Sequence, residues 1–320
     1  MKGSSERGPA PVRGTSAGGD PNGRAGDDTK ETTKEWRGPD GVPLQTRMTI
    51  LTIFTLLTAV LYIWPGIVII RSMKDENSSA ASWVRWPVLA GLVIQAFCLH
   101  AWMYQSGTIE FGFGHVLADI SFFALIIFLI ETWIHRLHGQ FGIALVGAGV
   151  LALFPVLFPG SPIEASEWTT FFKLHLFFAI GGYSFMAIAL IHAVLLTLQN
   201  RRLKMLTIKD DEGGFLSSLP ALVVMERIFF RIVSVGFAFI TLTLVFGAVA
   251  THEQYDVWFR FDHKTVLTWL AWIVFGILLL GRSLAGWRAK RALSWFWGGF
   301  GLFVIAYFGY SVIVELSGMH

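Results

Sequence analysis

The chain has 320 residues, of which 54% are hydrophobic and 15% are charged, and its formal net charge is +3. A soluble domain carries about a quarter charged residues, so this composition excludes an ordinary soluble enzyme. The positive charge does not indicate a nucleic-acid partner, because the cations stand in short connectors beside long apolar segments, as is usual in membrane proteins.

The first 47 residues differ in composition from the rest. They are rich in Gly, Pro, Asp, Arg and Ser and contain eight of the 25 Lys and Arg residues. Such a segment cannot bury enough apolar surface to fold, and it has no apolar core of the kind found in a secretory signal. We expect a disordered extension over 1–47, or a true start at Met48, followed by one transmembrane domain over 48–320.

Eight apolar runs follow, each suited to a hydrocarbon core of about 30 Å. They predict an all-α, polytopic membrane protein of about eight transmembrane helices, because backbone polar groups in lipid must be satisfied within each helix. The predicted spans are 48–70, 84–104, 113–134, 140–158, 172–198, 228–250, 264–281 and 293–315.

The connectors differ strongly in charge. Those after the even-numbered spans hold almost no cations beyond Arg260. The positive-inside rule therefore predicts a multi-pass protein of the bacterial cytoplasmic (inner) membrane, with both termini and the loop 251–263 on the outer face. The cations after the odd-numbered spans are Arg71, Lys74, Arg136, Arg201, Arg202, Lys204, Lys209, Arg282, Arg288, Lys290 and Arg291.

Several ionisable side chains fall inside the predicted spans, where their cost makes them functional candidates. His100 lies in the second span, and His175 and His192 lie early and late in the fifth. The single cysteine, Cys98, excludes a disulfide, a CxxC pair and a covalent CxxCH haem-attachment motif. The chain is therefore not itself a c-type cytochrome.

The predicted outer loop concentrates aromatic residues between two histidines, His252 and His263. One interpretation is an aromatic belt at the membrane interface. The other is a platform on which a flat, apolar ring system stacks, and with histidines able to reach an iron that ligand would be haem (heme). The aromatic residues, four within seven positions, are Tyr255, Trp258, Phe259 and Phe261.

This loop resembles that of the cytochrome c assembly family, the CcsA- and CcmC-like haem handlers with a tryptophan-rich WWD loop. The family pattern GAVWANEAWGSYWNWDPKE aligns without a gap on GAVATHEQYDVWFRFDHKT, residues 247–265. Glu253, Asp262 and Lys264 match, and other aromatic types stand at the three tryptophan positions. The phrases CLHAW, PALVVMERIFFR and GWRAKRALSWFWGGFGLFVIAYFG resemble the YpjD branch of inner-membrane proteins.

The resemblance implies a set of ligand residues. His175, with Tyr183 eight positions on, corresponds to the family's outer haem ligand, and His320 lies two residues from the place of the second. His100 corresponds to a histidine within an early span, whereas the family's other in-membrane histidine is Leu280 here. His263 is an alternative ligand beside the aromatic residues, and Asp262 completes the cofactor-binding set.

The implied function is haem binding or handling in cytochrome c-type biogenesis, as a delivery or assembly factor rather than a classical enzyme. Its partners would be membrane lipid and other cytochrome c maturation proteins or an apocytochrome, with no nucleic acid. Two alternatives use the same fold: a small-molecule or ion transporter or accessory subunit, and a haem-free structural membrane subunit. Broken helices and paired midplane charges, which favour a transporter, are not evident in the sequence.

Overall fold

A computed structural model describes residues 44–72, 83–103, 108–135, 138–159, 161–164, 168–205 and 221–309. The predicted extension over 1–47 therefore lies almost entirely outside the described residues, as does His320. Its last residues, from Leu44 on, form the first turn of a helix.

The described residues are almost entirely helical, with one two-stranded sheet between helices. The helices are α1 Leu44–Ser72, α2 Arg85–Met103, α3 Phe113–His135, α4 His138–Ala152, α5 Phe154–Leu157, α6 Thr170–Met205, α7 Leu222–Tyr255, α8 His263–Ala285 and α9 Ala289–Val304, which continues into a π-helical turn, Ile305–Gly309. The strands are β1 Thr108–Phe111 and β2 Ser161–Glu164.

The all-α, polytopic fold class is confirmed. By length and composition, α1, α3, α6, α7, α8 and the α4–α5 segment can each cross a membrane. The apolar part of α2, Arg85–Ala101, is shorter. The fourth predicted span corresponds to α4 and α5 together, the eighth, over its described residues, to α9 with its π-helical turn, and each of the others to one helix. A long apolar run in lipid has no other way to satisfy its backbone.

Several helix boundaries differ from the predictions, and those of the fourth span and of the loop 251–263 matter most for the site. The fourth span, predicted over 140–158, is not one helix: α4 ends at Ala152, and α5 follows with Pro155 in its first turn. Proline has no backbone N–H to continue the α4 hydrogen-bond ladder. The predicted loop 251–263 is too long at both ends, because α7 continues to Tyr255 and α8 begins at His263.

The small sheet joins two connectors that are distant in sequence. β1 pairs antiparallel with β2, with Thr108 opposite Glu164 and Phe111 opposite Ser161. The pairing brings together the connector between α2 and α3 and the connector before α6. These strands were not predicted from the sequence, because four-residue segments carry too little alternation to be recognised.

Glycines set the closest helix approaches. A Cβ atom on Gly66 of α1 would lie 2.8 Å from the backbone oxygen of Gly142 on α4, and one on Gly142 would lie 3.0 Å from the oxygen of Gly66. Without the hydrophobic effect to drive helices together in lipid, such small residues permit close backbone packing. The α1–α4 crossing therefore depends on the absence of side chains at both positions.

A buried polar network links α1, α2 and α3. The hydroxyl of Tyr62 donates to Oε1 of Gln95 at 2.9 Å. The Gln95 amide donates in turn to the backbone oxygen of Ala118 and to Oγ of Ser121, both at 3.1 Å. Both ends of the Gln95 amide are satisfied, which buried polar groups require.

The two ends of the bundle differ in chemistry. One end, the loop end, holds the sheet, the start of α6, the end of α7 and the start of α8. The other, the basic end, holds the C-terminal ends of α1, α3, α6 and α8, where Arg71, Arg201 and Arg282 stand. The charge bias of the sequence thus coincides with a division between the ends of the bundle.

Topology is the first testable prediction. Because the cations lie at the basic end, we expect a reporter fused after Met205 to be cytoplasmic and one inserted at Asp256 to be external. A pair of fusions read with a phosphatase active only outside and a fluorescent protein active only inside measures both positions. The reverse pattern would contradict the orientation and move the loop end to the cytoplasm.

Candidate functional site

His175 lies in the second turn of α6, at the loop end, and its ring is held by α7. Its Nδ1 is 2.9 Å from the backbone oxygen of Thr243. A carbonyl can only accept, so Nδ1 carries the proton and a neutral imidazole keeps its lone pair on Nε2. This arrangement, in which a backbone carbonyl orients the ring, is common for metal-ligating histidines.

Gly247 makes room for this ring. A Cβ atom there would lie 2.7 Å from Nδ1 of His175 and 3.0 Å from its Cε1. The ring also stacks on Phe172, with centroids 6.2 Å apart and planes inclined by 25°. The Nδ1 edge of the imidazole is therefore positioned by α7, and Phe172 of α6 lies against one face of the ring.

Aromatic contacts join α6 to α7 around His175. Phe178 and Phe246 are stacked with centroids 5.2 Å apart and an interplanar angle of 3°. Phe171 stacks on the same Phe246 at 6.3 Å, and Phe239 meets Phe178 edge-on at 5.6 Å. Each such pair adds about 0.5–1.5 kcal/mol beyond area burial to the packing of α6 against α7. The helix segment that carries His175 is therefore held by several aromatic contacts.

The aromatic loop, Asp256 to Asp262, is closed by an aspartate at each end. Asp256 adopts a left-handed conformation (φ 57°) and its N–H donates to the oxygen of His252, which ends α7. Asp262 caps α8, accepting at 2.7 Å from the backbone N–H of Thr265. Both geometries are standard helix terminations, and together they fix the two stems of the loop.

Asp262 is held in its charged form. Partial burial alone would raise the pKa of its carboxyl, but the hydrogen bonds from Thr265 and the positive charges of Arg260 and Lys264 bring that pKa below its ordinary value. A carboxylate at the N-terminus of α8 also interacts favourably with the helix dipole. The described contacts of Asp262 are thus those of a capping residue.

The aromatic side chains of this region are exposed. The exposed fractions are 51% for Tyr255, 61% for Trp258, 37% for Phe259 and 89% for Phe261. Exposed apolar surface of this kind marks an interaction site or a membrane interface. Both interpretations of the loop made from the sequence therefore persist, and the rings are positioned to meet a flat ligand or lipid.

Ring contacts within the loop order these side chains. Trp258 stacks on His252 with centroids 4.2 Å apart and planes 13° apart. Phe259 and Phe261 form an edge-to-face pair at 4.6 Å, and Arg260 lies 4.4 Å above the Tyr255 ring. Each exposed ring is thus in contact with a neighbouring side chain of the same region.

The other predicted ligands are distributed unequally. His263 is the first residue of α8 and is exposed beside the loop. His100 is near the C-terminal end of α2, which packs against α1, α3 and β1. His320 lies outside the described residues. Within the described part of the chain, no three His, Cys, Asp or Glu side chains are grouped to hold a bare metal ion.

Lys264 and Tyr307 belong to the same end of the bundle but were not in the predicted site. The Lys264 ammonium lies 5.3 Å from the centroid of the Tyr307 ring. Tyr307 in turn meets Tyr183 at 5.1 Å, and Tyr183 stacks on Phe303 at 4.3 Å. Lys264 could have been included in the predicted site, because it is a cation at the edge of a span and matches the family pattern. Tyr307 could not, because its sequence context does not differ from that of other interfacial aromatic residues.

His192 forms a separate buried pair. Its Nδ1 is 3.0 Å from the backbone oxygen of Ile188, and its Nε2 is 3.7 Å from Oε1 of Glu131 on α3. The ring is fully buried and lies beside Phe128. Because Glu131 is near the C-terminal end of α3, this pair is toward the basic end and is not part of the aromatic-loop site.

Comparison with known proteins gives a consistent family. The family model for the cytochrome C assembly protein matches residues 56–317. The chain is 26% identical over 273 residues to the inner membrane protein YpjD of Escherichia coli K12, covering 83% of this chain and 99% of that protein. No solved structure matches the chain.

Cytochrome c biogenesis proteins named CcsA are also similar. That of Prochlorococcus marinus MIT 9303 is 24% identical over 272 residues, 75% of this chain and 84% of its own length. That of Heterosigma akashiwo NIES-293 is 34% identical over 76 residues, 24% of this chain and 23% of its own length. On the family match over most of its length, this membrane protein belongs to the cytochrome c assembly protein family.

Proposed function

We propose that this protein binds haem at the loop end of the bundle and handles it in cytochrome c maturation on the outer face of the membrane. The observation that carries the proposal is the fixed tautomer of His175, whose Nδ1 donates to Thr243 and leaves Nε2 as the coordinating nitrogen. A neutral imidazole with this orientation is suited to an axial position on haem iron.

The residues present fit this cofactor in two respects. A histidine held by a backbone carbonyl can supply one axial ligand, and the exposed rings of Phe259 and Phe261 offer apolar surface for a porphyrin. The second ligand in the proposal is His320, with the exposed His263 as the alternative nearest the loop. When bound, the haem supplies the redox chemistry, and the chain supplies ligand, surface and orientation.

The proposal extends to the partner. CcsA is named a cytochrome c biogenesis protein, and a site on an external loop would be accessible to an apocytochrome or another maturation protein. An exposed platform, rather than an enclosed pocket, suits a cofactor that is passed on. The transporter and structural-subunit alternatives have no comparable supporting contact among the described residues.

The test is the haem content of protein purified in a mild detergent. We expect a Soret band and a pyridine haemochrome in the wild type. The double variant Phe259→Ala/Phe261→Ala should bind haem roughly 5- to 150-fold more weakly, since each stacking contact contributes about 0.5–1.5 kcal/mol.

The matched control is Trp86→Ala, which removes an exposed aromatic side chain from the start of α2, at the basic end. It should leave haem affinity unchanged. A wild type that carries no haem after expression with haem supplied would end the proposal. Equal losses in the control and the loop variant would assign the effect to general destabilisation instead.

A further inference from the structure

A cleft at the basic end of the bundle lies between the last turns of α6 and the first turns of α9. Its volume is about 220 Å³. It is remote from His175, which lies at the other end of α6. The seven residues that line it are Thr197, Asn200, Arg201, Lys290, Leu293, Ser294 and Trp297.

The charge of the α6–α9 cleft is positive. Arg201 contributes a cation from one wall and Lys290 from the other, and none of its seven lining residues is acidic. Neighbouring cations at the same end are engaged elsewhere: Arg282 contacts Glu226 at 3.0 Å, and Arg291 lies 4.8 Å above the Trp287 ring. Two cations facing one space without a carboxylate favour an anion there.

An uncharged donor points to the same ligand chemistry. The amide nitrogen of Asn200 is buried and has no hydrogen-bond partner among the described residues, a state that costs free energy unless an acceptor fills it. In the first turn of α9 the backbone N–H groups of Arg291 and Ala292 already donate to the oxygen of Arg288, so the uncharged donor that needs an acceptor in this cleft is the Asn200 amide. Phosphate oxygens satisfy such groups well.

The arrangement of the walls distinguishes a lipid from a free ion. Along α9 the lining residues Lys290, Leu293 and Trp297 follow one face from the helix start into the apolar part of the bundle. A charged mouth therefore continues into an apolar strip, and the Trp297 side chain is 40% exposed along it. An amphiphile with an anionic head and an acyl chain matches this order, whereas inorganic phosphate uses only the mouth.

We propose that the α6–α9 cleft binds an anionic phospholipid, with the phosphate headgroup between Arg201 and Lys290 and an acyl chain along Leu293 and Trp297. Basic pockets between transmembrane helices are a recurrent way of holding such headgroups. The bound lipid would tie the end of α6 to the start of α9. It does not depend on haem, because it lies at the opposite end of the molecule from the aromatic loop.

The experiment uses the full chain purified in neutral detergent, with phosphatidylglycerol or phosphatidylcholine added in mixed micelles and retention read by native mass spectrometry. We expect preferential retention of phosphatidylglycerol by the wild type. The double variant Arg201→Gln/Lys290→Gln should bind it roughly 30-fold more weakly, about 5-fold for each cation. The matched control Arg71→Gln/Arg85→Gln removes the same charge from exposed positions on α1 and α2 and should retain the lipid.

Two further arms separate the sources of phosphate. Trp297→Ala should weaken phosphatidylglycerol binding, and inorganic phosphate at the same concentration should neither compete with the lipid nor raise the thermal unfolding temperature. Equal retention of the two lipids, or unchanged retention in the cleft variant, would overturn the site. Competition by inorganic phosphate as strong as that of the lipid would overturn the phospholipid assignment.

Discussion

Replacing His175 by Ala is expected to remove most of the haem that copurifies with the wild type. The imidazole is the one predicted axial ligand whose contacts are described, and Ala supplies no coordinating atom in its place. Changes that merely disturb the orientation of a metal ligand cost about 10- to 100-fold in affinity, so loss of the ligand itself should cost at least as much. The measurement is haem per mole of protein by pyridine haemochrome, together with the Soret spectrum.

Gly247→Ala tests the same site without touching the ligand atom. The added Cβ would lie 2.7 Å from Nδ1 of His175, so the ring must turn away from the oxygen of Thr243. We expect a loss of haem intermediate between the wild type and His175→Ala, with a shifted Soret maximum. A merely destabilised bundle would lose thermal stability without this spectral change.

The controls for both variants are His135→Ala and His138→Ala. These positions are at the end of α3 and the start of α4, at the basic end of the bundle, and haem content should not change. Retention of normal haem by His175→Ala, with wild type carrying haem, would end the assignment of His175 while leaving haem binding itself in place.

Gly142→Leu is expected to give the largest loss of stability. Any side chain at this position meets the backbone oxygen of Gly66 at 3.0 Å and the side chain of Ile70 at 2.9 Å. The backbone oxygen cannot move without separating α1 from α4. Overpacking in a well-packed core costs about 1–3 kcal/mol and occasionally more, and here four leucine carbons must be accommodated.

The matched control is Gly147→Leu on the same helix. A Cβ atom at Gly147 meets nothing within 4 Å, so leucine there adds an apolar side chain to open space and replaces a poor helix former. Thermal unfolding in detergent, followed by size-exclusion chromatography, should separate the two variants clearly. Similar unfolding temperatures for both would contradict the close α1–α4 crossing.

The composition of the aromatic loop could be predicted from the local sequence, but its limits could not. The cluster of Tyr255, Trp258, Phe259 and Phe261 was visible in the sequence because composition within a loop does not depend on tertiary contacts. The limits of that loop were not, because Asp256 ends α7 by adopting a left-handed conformation. That conformation accompanies a hydrogen bond from its N–H to the oxygen of His252, and the distribution of apolar residues carries no signal for it.

For the candidate ligands too, the sequence predicts the residue and the tertiary structure decides its contacts. Resemblance singled out His175, but the contacts that orient it come from Thr243 and Gly247, 68 and 72 positions further along the chain. The sequence around Thr243 and Gly247 contains no signal that predicts a contact with His175. His100 and His175 were candidates on similar grounds, and the helices that pack around them differ: α1 and α3 against α2, and α7 against α6.

The sequence by itself determined the all-α membrane class, the approximate spans and the aromatic cluster, because a hydrocarbon core requires long apolar helices and leaves polar and aromatic residues to the connectors. It also determined that the cations collect at one end. The tertiary structure alone decided which faces meet: the Gly66–Gly142 crossing, the carbonyl that orients His175, and the basic cleft between Arg201 and Lys290. In lipid, apolar residues on every helix face look alike, so close fit between particular backbones and side chains, rather than hydrophobicity, selects the contacts.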